Sequence, residues 1–291
     1  MTTRYPGRAD PGLAQDAQRQ RGVLLWLQFD GTDFQGFQRQ QAHVRTVAGA
    51  VEDAWLAMLS ETVVARTSSR TDSGVHANRM PVLIRTDKLL SQRGLTLGLN
   101  THLPPDVAVV GADEVPLEFD VRADAVGKRY VYRLISSLPR LPTWRRVAWH
   151  VHGTLDVAAM QAAAKHFEGI HLFDAFRAAT CKATSTRRHI RSVEVFDRGP
   201  IVEVVVDGNA FLFNMVRIMV GTLVDIGRGK FAPEAIAEML QSRDRRRAGQ
   251  TAPAHGLTLD DVFFGPPGAR QGLDYKAMLE NMAIARGFKG L

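Results

Sequence analysis

Short apolar runs and helical periodicities alternate along the first half of the chain. The run VLLWLQF at 23–29 is typical of a buried strand. From Thr46 onward apolar residues fall at helical spacing, and Thr46 itself is a suitable N-cap. The other predicted elements here are a strand at 61–67, a strand at 80–86, a helix at 89–100 and a strand at 106–115. The predicted order is therefore strand, helix, strand, strand, helix, strand.

The second half of the chain repeats this rhythm. Alternating apolar and polar residues predict a strand at 128–136. Asp156 is a suitable N-cap for a helix that Gly169 would end. The other predicted elements are a hairpin at 190–208 that turns at Arg198-Gly199-Pro200, a helix with an apolar stripe within 209–227, a helix at 232–244 and a strand at 257–264.

This order of elements predicts an α+β fold. Its simplest form is two tandem split-βαβ (ferredoxin- or RRM-like) units with antiparallel sheets and helices on one face. Spacing alone leaves open whether the two sheets are separate or merged. We predict a basic, flexible N-terminal extension, an N-terminal domain that carries the Asp72 loop, a C-terminal domain and a tail, with bounds at 1–22, 23–125, 126–265 and 266–291.

Composition narrows the class of protein. The 291 residues contain one cysteine, Cys181, which excludes an internal disulfide and favours a reducing compartment. No apolar run is long enough to span a bilayer, and the polar N-terminus lacks the apolar core of a secretory signal, so we expect a cytoplasmic protein without membrane contact. The net charge of +7 is compatible with an anionic partner, of which nucleic acid is the commonest.

The stretch TSSRTDSGVHANRM at 67–80 holds the main candidate for chemistry. Arg70 stands two residues before Asp72, and Gly74 and His76 follow. Thr-Asp-Ser-Gly is also an ordinary turn sequence, so a structural role is the alternative. An arginine within a few ångströms would keep a carboxylate ionised and oriented, as a nucleophilic aspartate requires.

Three further segments carry unusual residues. FDGTDFQGFQRQ at 29–40 ends the first strand with glycines and glutamines, but no Gly-Lys-Ser/Thr follows as a phosphate loop needs. GKRYVYR at 127–133 sets Tyr130 and Tyr132 on one strand face. NMVRIMVG at 214–221 places an arginine among apolar residues, where it usually has an anionic partner.

Together these segments resemble the TruA-type tRNA pseudouridine synthases. The resemblance extends from about 23 to 264 and rests on five segments in the family's order. The chain departs from the family pattern at Ser69, Ser73, Leu172 and Ile218. The matching segments are FDGTDFQGFQRQ, SRTDSGVHA, KRYVYR, NMVRIMVG and AHGLTLDDV.

The resemblance implies a role for particular residues. Asp72 would be the catalytic nucleophile and Arg70 its ion-pair partner, while Tyr130 would line the uridine pocket and Arg217 support the site. His76 and Gln38 are further candidates for substrate binding. Isomerisation of uridine needs neither cofactor nor metal, and we predict none. The basic residues taken as RNA-contact candidates are Arg39, Arg187, Arg188, Arg245 and Arg246.

The resemblance also implies partners. It implies a homodimer that modifies the anticodon stem-loop of tRNA at positions 38 to 40. The alternatives are a catalytically inactive RNA-binding protein of the same fold and a synthase that acts on other RNA uridines. A sugar-processing hydrolase would need a second acid, for which Asp33 is the nearest candidate. A dinucleotide-binding enzyme is disfavoured because no G-x-G-x-x-G opens a helix after a strand.

Overall fold

A computed structural model describes residues 18–41 and 43–265. The described strands are β1 (Arg21–Phe29), β2 (His76–Thr86), β3 (Val107–Val115), β4 (Ala125–Ser137), β5 (Trp149–His152), β6 (Gly169–Leu172), β7 (Arg187–Arg198), β8 (Ile201–Gly208) and β9 (Leu257–Phe264). The described α-helices are α1 (Val47–Leu59), α2 (Gln92–Asn100), α3 (Val157–Ala164), α4 (Met215–Gly227) and α5 (Ala235–Ser242). The predicted extension and tail lie largely or wholly outside the described residues.

The described strands form one mixed sheet in the order β3-β1-β2-β9-β4-β8-β7-β6, with β5 beside β4. The pairings are antiparallel except β2 with β9 and β4 with β5. The last strand, β9, lies between β2 and β4 and so joins the two halves of the chain. The two predicted sheets are therefore merged, and the α+β class is confirmed. The division into two domains stays a prediction.

The sheet has a helical face and an opposite face. Alternate residues of β1 divide between them: Leu25 and Leu27 belong to the large core under the helices, while Leu24 and Trp26 pack on the opposite face. All five described helices contribute to the large core and none to the small one. The period-2 alternation of a strand between two packed layers explains this division. The predicted placement of the helices on one face is confirmed.

Local signals in the sequence fix several helix starts. The Thr46 hydroxyl accepts the Gly49 N–H at 3.2 Å, and the Asp156 carboxylate accepts the Ala159 N–H at 2.9 Å. Both are N-caps, as predicted, because each oxygen bonds an amide that the first helical turn leaves without a partner. Gly169 does not end the helix after Asp156, however. Helix α3 ends at Ala164, and Gly169 begins β6.

The predicted strand at 61–67 is wrong. Within it only Arg66 pairs with the sheet, through a single bridge to Leu83. Glu61 explains why the segment does not form a strand. Its buried carboxylate accepts hydrogen bonds from Trp55 Nε1 at 3.0 Å and Thr86 Oγ1 at 2.5 Å. Those bonds hold the segment against the end of α1 and the end of β2, and they satisfy a charge that would otherwise be costly to bury.

Candidate active site

A second loop holds the Asp72 loop in place. The Phe37 N–H donates to the Thr71 carbonyl at 3.2 Å, and the Gly74 N–H donates to the Phe34 carbonyl at 3.3 Å. Phe34 and Phe37 are themselves buried, so their backbone is fixed by the core. The glycine- and glutamine-rich segment 29–40 therefore supports the loop at 67–75, which carries Asp72.

Gly36 lies directly against the backbone of Thr71 and Asp72. Its φ is +88°, and a Cβ added there would lie 2.8 Å from the Thr71 carbonyl oxygen and 3.4 Å from the Asp72 carbonyl carbon. We expect Gly36→Ala to lower the free energy of unfolding by about 1 to 3 kcal/mol, through backbone strain and this clash. We also expect it to lower turnover, because Asp72 must move. Urea denaturation and a turnover assay measure the two effects.

Gly153 provides a matched control. Its φ is +91°, but a Cβ added there would meet nothing within 4 Å. Gly153→Ala therefore carries the cost of the left-handed backbone, about 1 to 2 kcal/mol, without the clash. Turnover by the folded Gly153→Ala protein should match that of the parent. An equal loss of turnover in both variants would contradict the supporting role of Gly36.

Asp72 opens onto a cavity of about 570 Å³. That volume falls within the range of small-molecule sites and suits a nucleotide. Elements distant in sequence form its wall: the Asp72 loop, β4, the turn into α4 and the start of β9. The lining residues that matter below are Ser68, Arg70, Asp72, Arg122, Lys128, Tyr130, Phe211, Asn214, Arg217 and Leu257.

The Asp72 carboxylate is largely buried and faces Arg217. Its side chain is 27% exposed, and its Oδ2 lies 3.8 Å from Arg217 Nη1. Burial raises the pKa of Asp72 above its usual range, and the positive charge of Arg217 opposes that rise. The cation that the structure places beside Asp72 is thus Arg217. Arg70 lines the same cavity, and its predicted ion pair with Asp72 stays a prediction.

Arg217 is held by its neighbours at the start of α4. Its Nε donates to the Ala252 carbonyl at 2.7 Å, and its Nη1 donates to Asn214 Oδ1 at 2.8 Å. Asn214 has a φ of +60°, a conformation that asparagine tolerates better than most residues. Because the first turn of α4 borders the cavity, the positive end of its dipole also favours a negative charge there.

Tyr130 forms an aromatic part of the wall. Its ring is buried and meets the Phe211 ring edge to face, with centroids 5.1 Å apart and an interplanar angle of 87°. Burial raises the pKa of Tyr130 strongly, and the nearby charge of Asp72 raises it further. The phenol therefore stays protonated at neutral pH. The resemblance implied that Tyr130, Asp72 and Arg217 belong to one site. In the structure all three side chains line one cavity.

Two other candidates lie outside the lining of this cavity. His76 is buried, with Nδ1 at 3.0 Å from the Gly31 nitrogen and Nε2 at 2.9 and 3.1 Å from the carbonyl oxygens of Arg146 and His255. These contacts join the loop after β1 to the segment before β5 and to the segment before β9. Gln38 is exposed on the supporting loop. Their predicted roles in substrate binding stay predictions.

The predicted RNA-contact residues differ in their surroundings. Arg39 is bonded to two carboxylates of α1 at 2.8 and 3.1 Å, and Arg246 is bonded to the carboxylate two residues before it at 2.7 Å. Arg245 donates to backbone carbonyls and a threonine hydroxyl. Arg187 and Arg188 begin β7, and Arg187 is exposed. Contact with RNA stays a prediction for all five.

Among the lining residues that the sequence did not single out, four bear on the chemistry or shape of the site. They are Lys128, Arg122, Asn214 and Phe211. Lys128 lies in the KRYVYR segment, of which only the two tyrosines were singled out as candidates. Alternation along that strand could have placed Lys128 on the same face as Tyr130, since the two are two residues apart. Asn214 opens the NMVRIMVG segment, in which Arg217 alone was singled out. Arg122 carries no local signal, because only the tertiary fold brings it to the cavity.

Residues 18–41 and 43–265 contain no group of three or more histidine, cysteine, aspartate or glutamate side chains suited to hold a metal ion. Across the same residues, each helix is too short or too polar to cross a membrane.

Comparison with known proteins decides the family. A family model described as tRNA pseudouridine synthase matches residues 26–124 and 163–265, more than half of the chain. The chain belongs to the tRNA pseudouridine synthase family. As a pseudouridine synthase it is an isomerase, and the resemblance to TruA-type enzymes is confirmed. Asp72 and Arg217 lie within the matched ranges, whereas Tyr130 lies between them.

Relatives of this pseudouridine synthase match over nearly their whole length. A protein of Geotalea uraniireducens (strain Rf4) named tRNA pseudouridine synthase A is 44% identical over 244 residues, covering 84% of this chain and 100% of that protein. One of the same name from Myxococcus xanthus is 42% identical over 253 residues, covering 86% and 95%. A chain of a solved Cbf5-Nop10-Gar1 complex matches with a TM-score of 0.31 and 14% identity, over 73% of this chain and 56% of that one.

Proposed function

We propose that this pseudouridine synthase isomerises uridines 38 to 40 in the anticodon stem-loop of tRNA, with Asp72 as the nucleophile. One observation carries the proposal: a largely buried carboxylate faces Arg217 inside a cavity that suits a nucleotide and shares its wall with Tyr130. The names of the relatives support tRNA as the substrate. The positions within tRNA rest on the resemblance to the TruA-type enzymes.

The reaction breaks the bond from ribose C1′ to uracil N1 and forms a bond from C1′ to C5. The C5 proton leaves and N1 gains a proton, so no group is added and no electron is transferred. Asp72 would supply an electron pair, either to uracil C6 or to the developing charge at C1′. Both routes need the carboxylate ionised. The charge of Arg217 favours that form against the cost of burial.

The uridine must leave its stem to reach Asp72. Flipping it out of the stack costs roughly a few kcal/mol, which contacts in the cavity must offset. Stacking of uracil on Tyr130 would supply part of this free energy. The cavity would also keep the freed base close to ribose while it turns. We assign Arg70, which lines the same cavity, to the same step as a group that fills the vacated position in the RNA stack.

The ring of Tyr130 should matter more for substrate binding than its hydroxyl. Tyr130→Phe keeps the ring and its contact with Phe211 and removes only the hydroxyl, so we expect a KM within about threefold of the parent. Tyr130→Leu loses the stacking surface, and we expect KM to rise about tenfold or more. Steady-state kinetics on an unmodified tRNA transcript measure both. Equal effects of the two changes would contradict a stacking role.

Transcripts that differ only in the anticodon stem-loop test the site of action. We expect pseudouridine at position 38, 39 or 40 wherever that position carries uridine, and none when all three carry cytidine. Primer extension after carbodiimide treatment maps the product. Pseudouridine formed only elsewhere would favour a synthase for other RNA uridines. RNA binding without any pseudouridine would favour the inactive binding protein.

We further propose that the protein is a cytoplasmic homodimer. The dimer rests on the resemblance, and the compartment rests on the single cysteine and the place of tRNA maturation. Sedimentation equilibrium should give a mass near twice the 32.1 kDa of one chain. A mass that stays at one chain across micromolar concentrations would contradict the dimer.

A further inference from the structure

Basic side chains outnumber acidic side chains in the wall of the Asp72 cavity. Its basic residues are Arg70, Arg122, Lys128 and Arg217, and its acidic residue is Asp72. Within 18–41 and 43–265, Lys128 and Arg122 have no carboxylate within 4.0 Å of their charged nitrogens. Two cations that border one cavity, and that form no ion pair with a carboxylate of the described residues, favour the entry of an anion.

Lys128 and Arg122 are fixed by backbone carbonyls of the Asp72 loop. Lys128 Nζ donates to the Ser68 carbonyl at 2.6 Å, and Arg122 Nε donates to the Thr67 carbonyl at 3.2 Å. Each bond uses one donor, while a lysine has three and an arginine has five. The remaining N–H donors of both side chains are thus held near the loop that carries Asp72, at positions four and five residues before it.

The electrostatics of Lys128 agree with this arrangement. Burial lowers the pKa of its amine to about 8, and the positive charges of Arg188 and Arg122 lower it further. A bound anion would reverse both effects, because it compensates the buried charge and offsets the repulsion between the cations. A phosphodiester suits the pair, since it offers two unesterified oxygens to charge-assisted donors.

We propose that Lys128 and Arg122 form a phosphate subsite for the RNA backbone next to the flipped uridine. This rests on the proposed function, because it assigns the anion to the same RNA whose uridine reaches Asp72. The subsite would fix the ribose through its phosphate, so that C1′ stays in place while the base detaches and turns. Fixing one reacting part against the other is a large source of rate enhancement.

Stem-loops with one neutral phosphate test the subsite. A methylphosphonate replaces the phosphodiester 5′ or 3′ to the target uridine, and binding is measured by fluorescence anisotropy to the full-length Asp72→Asn chain. We expect one of the two neutral linkages to weaken binding about tenfold, the size of one charge-assisted contact. Lys128→Gln in this chain should weaken binding of the unmodified stem-loop by a similar factor and reduce the slope of log K against log salt by about 1.

The decisive measurement combines the neutral linkage in the RNA with Lys128→Gln in the protein. If Lys128 binds that phosphate, then the neutral linkage and Lys128→Gln together weaken binding no more than either change alone. Losses that multiply would overturn the subsite, as would an unchanged affinity in Lys128→Gln. If Lys128→Gln does not fold, Arg122→Gln replaces it in the same experiment, because the Arg122 side chain is exposed and its loss disturbs the fold less. Lys165→Gln removes an exposed lysine that is paired with Glu168 and should leave the response to the neutral linkage unchanged.

The outcome also separates this proposal from the proposed function. If the parent chain forms pseudouridine but the two losses multiply, only the phosphate subsite fails. If the parent forms none on any stem-loop, the proposed function fails. If in that case the neutral linkage and Lys128→Gln together still weaken binding no more than either change alone, the phosphate subsite stands, but as part of an RNA-binding protein.

Discussion

Asp72→Asn is expected to lower pseudouridine formation by about three orders of magnitude or more, the scale on which loss of a catalytic nucleophile acts. The amide has nearly the same volume but cannot donate an electron pair as a carboxylate does. Binding of the stem-loop should remain, because Arg70, Lys128 and Arg217 still line the cavity. Nucleoside chromatography of digested tRNA measures the product, and anisotropy measures the binding.

The same change should raise the stability of the fold at neutral pH. Burial raises the pKa of Asp72 in the folded state. Such a group stabilises the fold most below its unfolded pKa, and that contribution is lost as pH rises through the folded pKa. At pH 7 the parent keeps a largely buried charge that asparagine removes. The stability advantage of Asp72→Asn should therefore grow from pH 4 to pH 7 in urea denaturation.

Asp33→Asn is the matched control for both effects. Asp33 is a carboxylate of the supporting loop, 61% exposed, with Oδ2 at 3.6 Å from Arg146 Nη1. It was the candidate second acid of a sugar hydrolase, and it is not part of the cavity lining that includes Asp72. We expect turnover and stability close to those of the parent. A loss of turnover equal to that of Asp72→Asn would contradict the role given to Asp72.

Arg217 variants should shift the acid limb of the pH–rate profile. Arg217→Gln removes the positive charge that opposes the rise in the pKa of Asp72 caused by burial. The pKa of Asp72 should therefore rise further, and the acid limb of the profile should shift to higher pH. We also expect a loss of turnover of about a hundredfold near neutral pH, as when one fixed electrostatic contact is removed. The profile of kcat/KM reports the free enzyme and is the measurement of choice.

Arg217→Lys separates charge from hydrogen bonding. Lysine keeps the positive charge but cannot reproduce both bonds of the guanidinium to Ala252 and Asn214. We expect its acid limb to stay nearer to that of the parent, although turnover falls because the cation is less well placed. Identical acid limbs in the parent and both variants would contradict the electrostatic role of Arg217. Thermal denaturation identifies any variant that is merely unfolded.

Local signals predicted much of the fold. The caps at Thr46 and Asp156 and the hairpin turn at Arg198-Gly199-Pro200 depend on neighbours within a few residues, and these predictions are confirmed. The strand predicted at 61–67 is wrong because the bonds of Glu61 to Trp55 and Thr86 outweigh local β-propensity. The merged sheet depends on β9, whose partners in β2 lie about 180 residues away, and no local pattern contains that pairing.

The candidate site was predictable only in part. The motif around Asp72 identified the carboxylate, and the resemblance identified Tyr130 and Arg217, all three of which line one cavity. The sequence placed Arg70 two residues from Asp72, and their ion pair stays a prediction. Arg217, which faces Asp72 in the structure, comes from α4, 145 positions further along the chain. Likewise Lys128 and Arg122 reach the Asp72 loop through bonds to its backbone, which side-chain motifs do not record.

Release of tritium from uridine C5 tests the central claim most directly. The substrate is unmodified tRNA labelled at C5, incubated in single turnover with the parent chain or with Asp72→Asn at protein concentrations that saturate binding. We predict that the parent releases one tritium for each pseudouridine formed and that Asp72→Asn releases none above background. Equal release of tritium by the two proteins would contradict the role of Asp72 as the nucleophile.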